Sequence, residues 1–209
     1  MEKVKAVITG VGGYVPEYIL TNEELARMVD TNDEWITTRV GIKERRILKE
    51  EGLGSSYLAR KAAKQLIQKT GVDPQTIDCV ICATTTSDYR FPSNASIVIG
   101  KLGLTNAHGF DVSCACCGFL YTVDMASTFI ESGRYKRVMV IAAEKMSSIV
   151  DYQDRQTCVL FGDGAAAVML EATTEEGVGF QDSFLRTNGI GLPYLHMKAG
   201  GSVCPSSRY

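Results

Sequence analysis

FDVSCACCGFLYTVDMA, residues 110–126, sets three cysteines within four positions and then continues to Ala126 with Asp124 as its one charge. The stretch reads in two halves. Residues 108–112 read as a strand, and residues 116–132 form a helical segment with almost no charge, stopped by Gly133. A helix that is apolar around most of its circumference is central rather than peripheral. A buried strand feeding such a helix is a unit of α/β architecture.

The same alternation extends outward. "IDCVICATTT" (77–86) is apolar almost throughout, as expected of a strand covered on both faces. Residues 94–102 read as a helix, and "KRVMVIAAE" (136–144) and "GAAAVMLEA" (164–172) as further buried strands, the last after a Gly162-Asp163-Gly164 turn. Residues 55–70 are the clearest amphipathic helix: Leu58, Ala62, Leu66 and Ile67 share a face, and Gly71 stands where a helix stops. Nearer the start, residues 4–9 predict a strand ending in a tight "GVGG" turn. Thr21 then caps a short helix to about residue 29, and residues 33–38 form a second one. The whole predicts an α/β layer with a largely parallel sheet. Beyond Gly177 the pattern weakens: residues 178–186 suggest a strand, and residues 188–209 read as a loop that stops in mid-element.

At 209 residues, 45% hydrophobic and 22% charged, the chain has the composition of a globular protein with one large core or two modest ones. A net charge of -2 gives no basic surface for nucleic acid, and Lys43-Glu44-Arg45-Arg46 reads as a solvated mixed-sign face. The first apolar run is too short for a signal peptide, and nothing approaches the ~18 apolar residues of a membrane span. Seven cysteines make an odd count with no regular framework, which points to reduced thiols and a cytoplasmic setting.

Four readings of the cysteine triplet compete. Metal ligation is disfavoured: Cys114, Cys116 and Cys117 are crowded, and His108 and His196 are the only histidines, so no metal site is expected. A redox pair is formally present as C-x-x-C at Cys114–Cys117 and again at Cys79–Cys82, although two strand residues three apart face opposite ways. Burial as small apolar residues suits Cys79, Cys82 and Cys158. The fourth reading is a nucleophile. Unpartnered N–H groups and the dipole at a helix start favour a thiolate there, and Ser113, Ala115 and Gly118 leave room for an acyl group. Cys116, at the turn from strand to helix, is the best placed.

"DVSCACCGF" (111–119) resembles the D-V-x-x-A-C-x-G-F stretch around the active-site cysteine of β-ketoacyl-acyl carrier protein synthase III, the initiating condensing enzyme of bacterial fatty acid synthesis. The resemblance puts the nucleophile on Cys116, with Cys114 and Cys117 where that family usually has small residues. "TNDEWITTRVGIKERRI" (31–47) resembles the family's coenzyme A segment, which implies that Trp35 stacks on adenine, Arg39 contacts the nucleotide and Thr31 hydrogen-bonds there. "DRQTCVLFGDGAAAVML" (154–170) resembles the segment whose arginine covers the other face of the adenine, here Arg155. "FPSNAS" (91–96) resembles the stretch whose phenylalanine crosses a dimer interface into the partner's acyl pocket, which makes Phe91 that residue; a core phenylalanine is the plainer alternative.

The resemblance implies a thiolase-like α/β fold, with residues 1–176 as the N-terminal βαβαβαβ half of a five-layered α-β-α-β-α sandwich and residues 177–209 as the start of the joining region. It further implies an acyltransferase with acyl-CoA as substrate and no cofactor, an acyl carrier protein as partner, and a homodimer. The family's catalytic histidine and asparagine, and the carrier-protein docking patch, would belong to a second half beyond these residues; neither His108 nor His196 matches. Related condensing enzymes with another starter or acceptor, hydroxymethylglutaryl-CoA synthase, and a non-catalytic binding or dimerisation module are the competing readings. The run Thr84-Thr85-Thr86 argues against the synthase, which needs a glutamate base near there.

Overall fold

The computed structural model describes residues 4–205; the outer ends of the two predicted segments, residues 1–3 and 206–209, lie outside the described residues. The chain runs through β1 (Lys5–Tyr14), β2 (Tyr18–Thr21), α1 (Asn22–Leu25), α2 (Asp33–Val40), β3 (Glu44–Ile47) and α3 (Ser55–Thr70). It continues through β4 (Cys79–Ala83), α4 (Asn94–Leu102), β5 (His108–Val112), α5 (Gly118–Glu131), β6 (Arg137–Lys145) and β7 (Asp163–Thr173). β2 and β3 form a small hairpin-like pair, and the other five strands form one sheet in the order β1-β7-β6-β4-β5.

The apolar runs behave as doubly covered strands should. Along β4 and β6, Val80, Cys82, Met139 and Ile141 face α3 and α4, where they meet Ala59, Ala62, Leu66, Ala95 and Val98. The intervening Cys79, Ile81, Val138 and Val140 face α5 through Val123, Ala126 and Ile130. This period of two builds an α-β-α layering, and each large side chain wholly buried in it contributes about 1.5–3 kcal/mol. The Cys79–Cys82 pair is split between opposite faces. Burial pushes the Cys79 thiol up to about 12 and the Cys82 thiol well above its usual value.

Several expectations are corrected. The sheet is mixed: β4 pairs in parallel with β5 and β6, but β7 runs antiparallel to both β6 and β1. An antiparallel neighbour needs no crossover helix, so the connection from β6 to β7 is free to carry other structure. "GVGG" is no turn but part of β1, with a register shift between Ile8 and Gly10. Its glycines allow close approach: a Cβ on Gly12 would stand 2.4 Å from the Ala62 carbonyl oxygen and 2.6 Å from the Leu66 nitrogen of α3. Gly12→Ala is therefore expected to lower stability by about 1–3 kcal/mol, read as a reduced denaturant midpoint with an unchanged slope.

The helix predicted from residue 116 starts at Gly118, after a 3-10 turn over Ala115–Cys117. It is not enclosed all round among the described residues: one face packs on the sheet, while Leu120 on the other is 60% exposed. The short helix after Thr21 ends at Leu25 rather than near residue 29. Residues 178–186 form no strand, holding to the sheet through a bond from the Phe180 N–H to the Ala6 carbonyl.

Candidate active site

The three parallel strands β4, β5 and β6 end on one edge of the sheet, and the segments leaving them carry Phe91, Cys116 and Arg155 respectively. Loops at the carboxyl ends of parallel strands are where α/β proteins collect ligand-binding groups. Here the chain leaves β5 at Val112, whose carbonyl accepts the Thr84 N–H just past β4 at 3.2 Å. Gly118, opening α5, presses on the last residue of β4; a Cβ there would lie 3.0 Å from that of Ala83. The cysteine turn is thus seated on the ends of two strands.

The turn itself is tight. The Cys117 N–H donates to the Cys114 carbonyl at 3.2 Å, and Ala115, just before Cys116, has φ 46°, the single non-glycine residue in the left-handed region among those described. Such a conformation costs about 1–2 kcal/mol and persists where the surroundings impose it, commonly at functional turns. The first turn of α5 has no side-chain cap; the Cys117 and Gly118 N–H groups donate to the Cys114 and Ala115 carbonyls, and the positive end of the helix dipole faces the turn. Cys114, Cys116 and Cys117 are free and exposed on an open surface, whereas Cys79, Cys82 and Cys158 are buried. Exposure makes the triplet the place where an electrophile meets sulfur.

A separate cluster supports the second group of residues. Leu20, Leu25, Ile36, Ile47, Cys158 and Val159 form a small core against which Trp35, Tyr18 and Tyr152 pack. Asn32 caps α2 by accepting the Trp35 N–H at 2.7 Å, which fixes the indole in the first turn. Arg39, one turn on, lies with its guanidinium 4.3 Å from the indole centroid, and the guanidinium of Arg155 lies 5.0 Å from it. Arg155 is steadied by Asp30, donating to its carbonyl at 2.9 Å and its carboxylate at 3.4 Å. Thr31, between Asp30 and this helix, has the one buried side-chain oxygen without a hydrogen-bond partner among the described residues. An unpaired buried hydroxyl costs about 1–3 kcal/mol, which a bound polar group would relieve.

Residue patterns missed what holds this unit together. Arg45 is not solvated, as its charge cluster suggested, but 4% exposed. Its guanidinium donates to the Val159 carbonyl at 2.6 and 3.0 Å and to the Asn22 side chain at 2.5 Å. Asn22 in turn donates to Asp33, the first residue of α2, at 2.7 Å and to the Ile42 carbonyl at 2.8 Å. Desolvation lowers the pKa of Arg45 from its ordinary value. Asp163 does similar work: its buried carboxylate accepts from Leu48 N–H at 2.8 Å and from the N–H and hydroxyl of Ser147 at 2.9 and 2.7 Å.

Phe91 is 86% exposed, so the core alternative is excluded. Its loop starts from Thr84-Thr85-Thr86, which is pinned by Glu144 of β6: the carboxylate accepts Thr85 N–H at 2.7 Å, Thr86 N–H at 3.1 Å and the Thr86 hydroxyl. No local pattern marks Glu144, because its partners lie 58 to 60 residues away.

Over 209 residues the chain is 68% identical to β-ketoacyl-[acyl-carrier-protein] synthase III 2 of Bacteroides thetaiotaomicron, all of this chain aligning with 62% of that protein. It resembles part of a β-ketoacyl-acyl carrier protein synthase III. The family model for 3-oxoacyl-[acyl-carrier-protein (ACP)] synthase III matches residues 110–189, which begin at the stretch carrying the cysteines. The synthase III of Porphyromonas gingivalis is 55% identical over 207 residues, 99% of this chain and again 62% of the relative. The solved synthase III of Thermus thermophilus superposes with a TM-score of 0.86 at 39% identity, covering 91% of this chain and 58% of that one. That of Aquifex aeolicus gives 0.79 at 49% identity over 82% of this chain and 55% of that one. The thiolase-like α/β expectation therefore holds. The chain spans 62% of the length of these curated synthase III relatives.

Proposed function

We propose that the protein carrying this chain initiates fatty acid synthesis as a condensing acyltransferase, with Cys116 as the acyl acceptor. The observation that carries the reading is an exposed thiol on a strained turn at the uncapped start of α5. The Cys116 thiolate attacks the carbonyl carbon of acetyl-CoA or another short acyl-CoA, the carbon–sulfur bond to coenzyme A breaks, and the coenzyme leaves as a thiol. The Cys116 N–H helps hold the oxyanion. Malonyl-acyl carrier protein then loses CO₂, and its carbanion displaces Cys116 to give the β-ketoacyl product. No cofactor takes part, since the thioester itself supplies the activated carbonyl.

Trp35 and Arg155 hold the adenine between them, Arg39 meets a phosphate, and Thr31 supplies a hydrogen bond. A purine inserted between ring and guanidinium needs about 7 Å, twice a ~3.5 Å contact. Arg155, now 5.0 Å from the indole centroid, would swing out by about 2 Å on the same contact distance. Because stacking on an aromatic contributes ~1–3 kcal/mol per base, Trp35→Ala is expected to weaken acyl-CoA binding at least five-fold. Titration calorimetry with a non-hydrolysable acyl-CoA would read it, and unchanged affinity would remove Trp35 from the site.

Phe91 completes the acyl pocket of a partner subunit in a cytoplasmic homodimer. Residues 1–176 form the N-terminal half, residues 177–209 open the joining region, and the decarboxylating histidine and asparagine and the carrier-protein docking surface lie outside these 209 residues. The 209-residue polypeptide should accordingly take an acyl group from acetyl-CoA yet release no ketoacyl product with malonyl-acyl carrier protein. Robust condensation by that polypeptide would refute this division of labour. Hydroxymethylglutaryl-CoA synthase chemistry fits less well. A carboxylate does meet the threonine run, but the Glu144 oxygens are occupied by Thr84, Thr85 and Thr86 rather than free to take a proton.

A further inference from the structure

We propose that Cys114 and Cys117 form a reversible disulfide across the turn that carries Cys116, making this turn a peroxide-responsive dithiol. The hydrogen bond from the Cys117 N–H to the Cys114 carbonyl, 3.2 Å, closes a four-residue turn around the pair. Such turns hold their end Cα atoms within about 7 Å. A disulfide spans Cα separations of roughly 4.4–6.8 Å, a range that overlaps the span of such a turn. Both thiols are free and exposed. Cys117 also occupies the cap position of the 14-residue α5, which has no side-chain cap bond.

The molecule contains its own comparison. Cys79 and Cys82 have the same spacing, yet they lie on opposite faces of β4, wholly buried, with the Cys79 thiol raised to about 12. Spacing alone therefore does not make a pair; the turn does. Nor does the proposed condensation need the two extra sulfurs, which stand where the family pattern carries small residues.

The Cys117 thiolate attacks one oxygen of hydrogen peroxide, the O–O bond breaks, and hydroxide leaves to be protonated to water. The resulting sulfenic acid is attacked by the Cys114 thiolate, its S–O bond breaks, and a second water departs. Two thiols and one peroxide thus become one disulfide and two waters, and a dithiol reductant reverses the change. Peroxide that reaches the turn is converted to a recoverable bond in place of sulfinic acid, which is not recovered by thiols.

Reduced protein is treated with one equivalent of hydrogen peroxide, blocked with N-ethylmaleimide and digested, and the peptide spanning the turn is sequenced by tandem mass spectrometry. The expected species carries one maleimide, on Cys116, and a Cys114–Cys117 bond that dithiothreitol removes, while Cys79 and Cys82 remain thiols. Cys116→Ala should form the same bond, so the result stands apart from whether Cys116 accepts acyl groups. Cys114→Ser should replace the bond with sulfenic and then sulfinic acid on Cys117. A bond that includes Cys116, equal alkylation of all three sulfurs, or oxidation in the wild type that dithiothreitol does not reverse would overturn the proposal.

Discussion

Cys116→Ala should lower acyl transfer from acetyl-CoA by a factor of about 10³ or more, since loss of a covalent nucleophile removes the reaction path itself. Cys114→Ala and Cys117→Ala should each stay within about ten-fold of the wild type, because neither sulfur is required to form the thioester. All three side chains are exposed, so their truncation opens no cavity in the core and circular dichroism should be unchanged. The measurement is the rate at which intact mass shifts by one acyl group. Similar losses in all three variants would mean that the turn, rather than one sulfur, governs the reaction.

Arg45→Ala carries the largest expected effect on stability, a loss of about 3–5 kcal/mol. It removes three donors at once, leaving the Val159 carbonyl and the Asn22 side-chain oxygen without them in a region closed to water. The damage should spread to acyl-CoA binding, because Asn22 links Arg45 to Asp33 at the head of the helix that presents Trp35. Arg46→Ala is the control. Its neighbour Glu44 is 3.7 Å away on a half-exposed pair, worth at most about 1 kcal/mol. Chemical denaturation compares the two variants, and equal midpoints would show that the buried guanidinium contributes no more than the exposed one.

How much was legible depended on how far apart the interacting residues stand. The helices over residues 55–70 and 94–102 were readable to their ends, because Gly71 and Gly103 take the left-handed conformation that stops them. β4 and β6 were readable because both faces are covered and β4 and the stretch of β6 from Val138 to Ala143 are apolar throughout. "GVGG" misled because glycine serves a turn and a close helix approach equally well, and only the position of α3 decides between them. The reversal of β7 leaves no mark in composition, since antiparallel and parallel strands bury the same residues. Arg45 and Glu144 were invisible because their partners lie as far as 114 and 60 residues away. Cys116, Trp35, Arg39, Arg155 and Phe91 were named from motifs. The structure adds that Trp35, Arg39 and Arg155 meet at one indole, while Cys116 and Phe91 leave the same sheet edge on neighbouring loops.

The most direct test uses the polypeptide and one substrate. After brief incubation with acetyl-CoA and acid quenching, peptide mapping should place a single acetyl thioester on Cys116, with Cys114 and Cys117 unmodified. An acetyl group on either neighbour, one spread over all three, or none at all would contradict the assignment of that sulfur as the acyl acceptor.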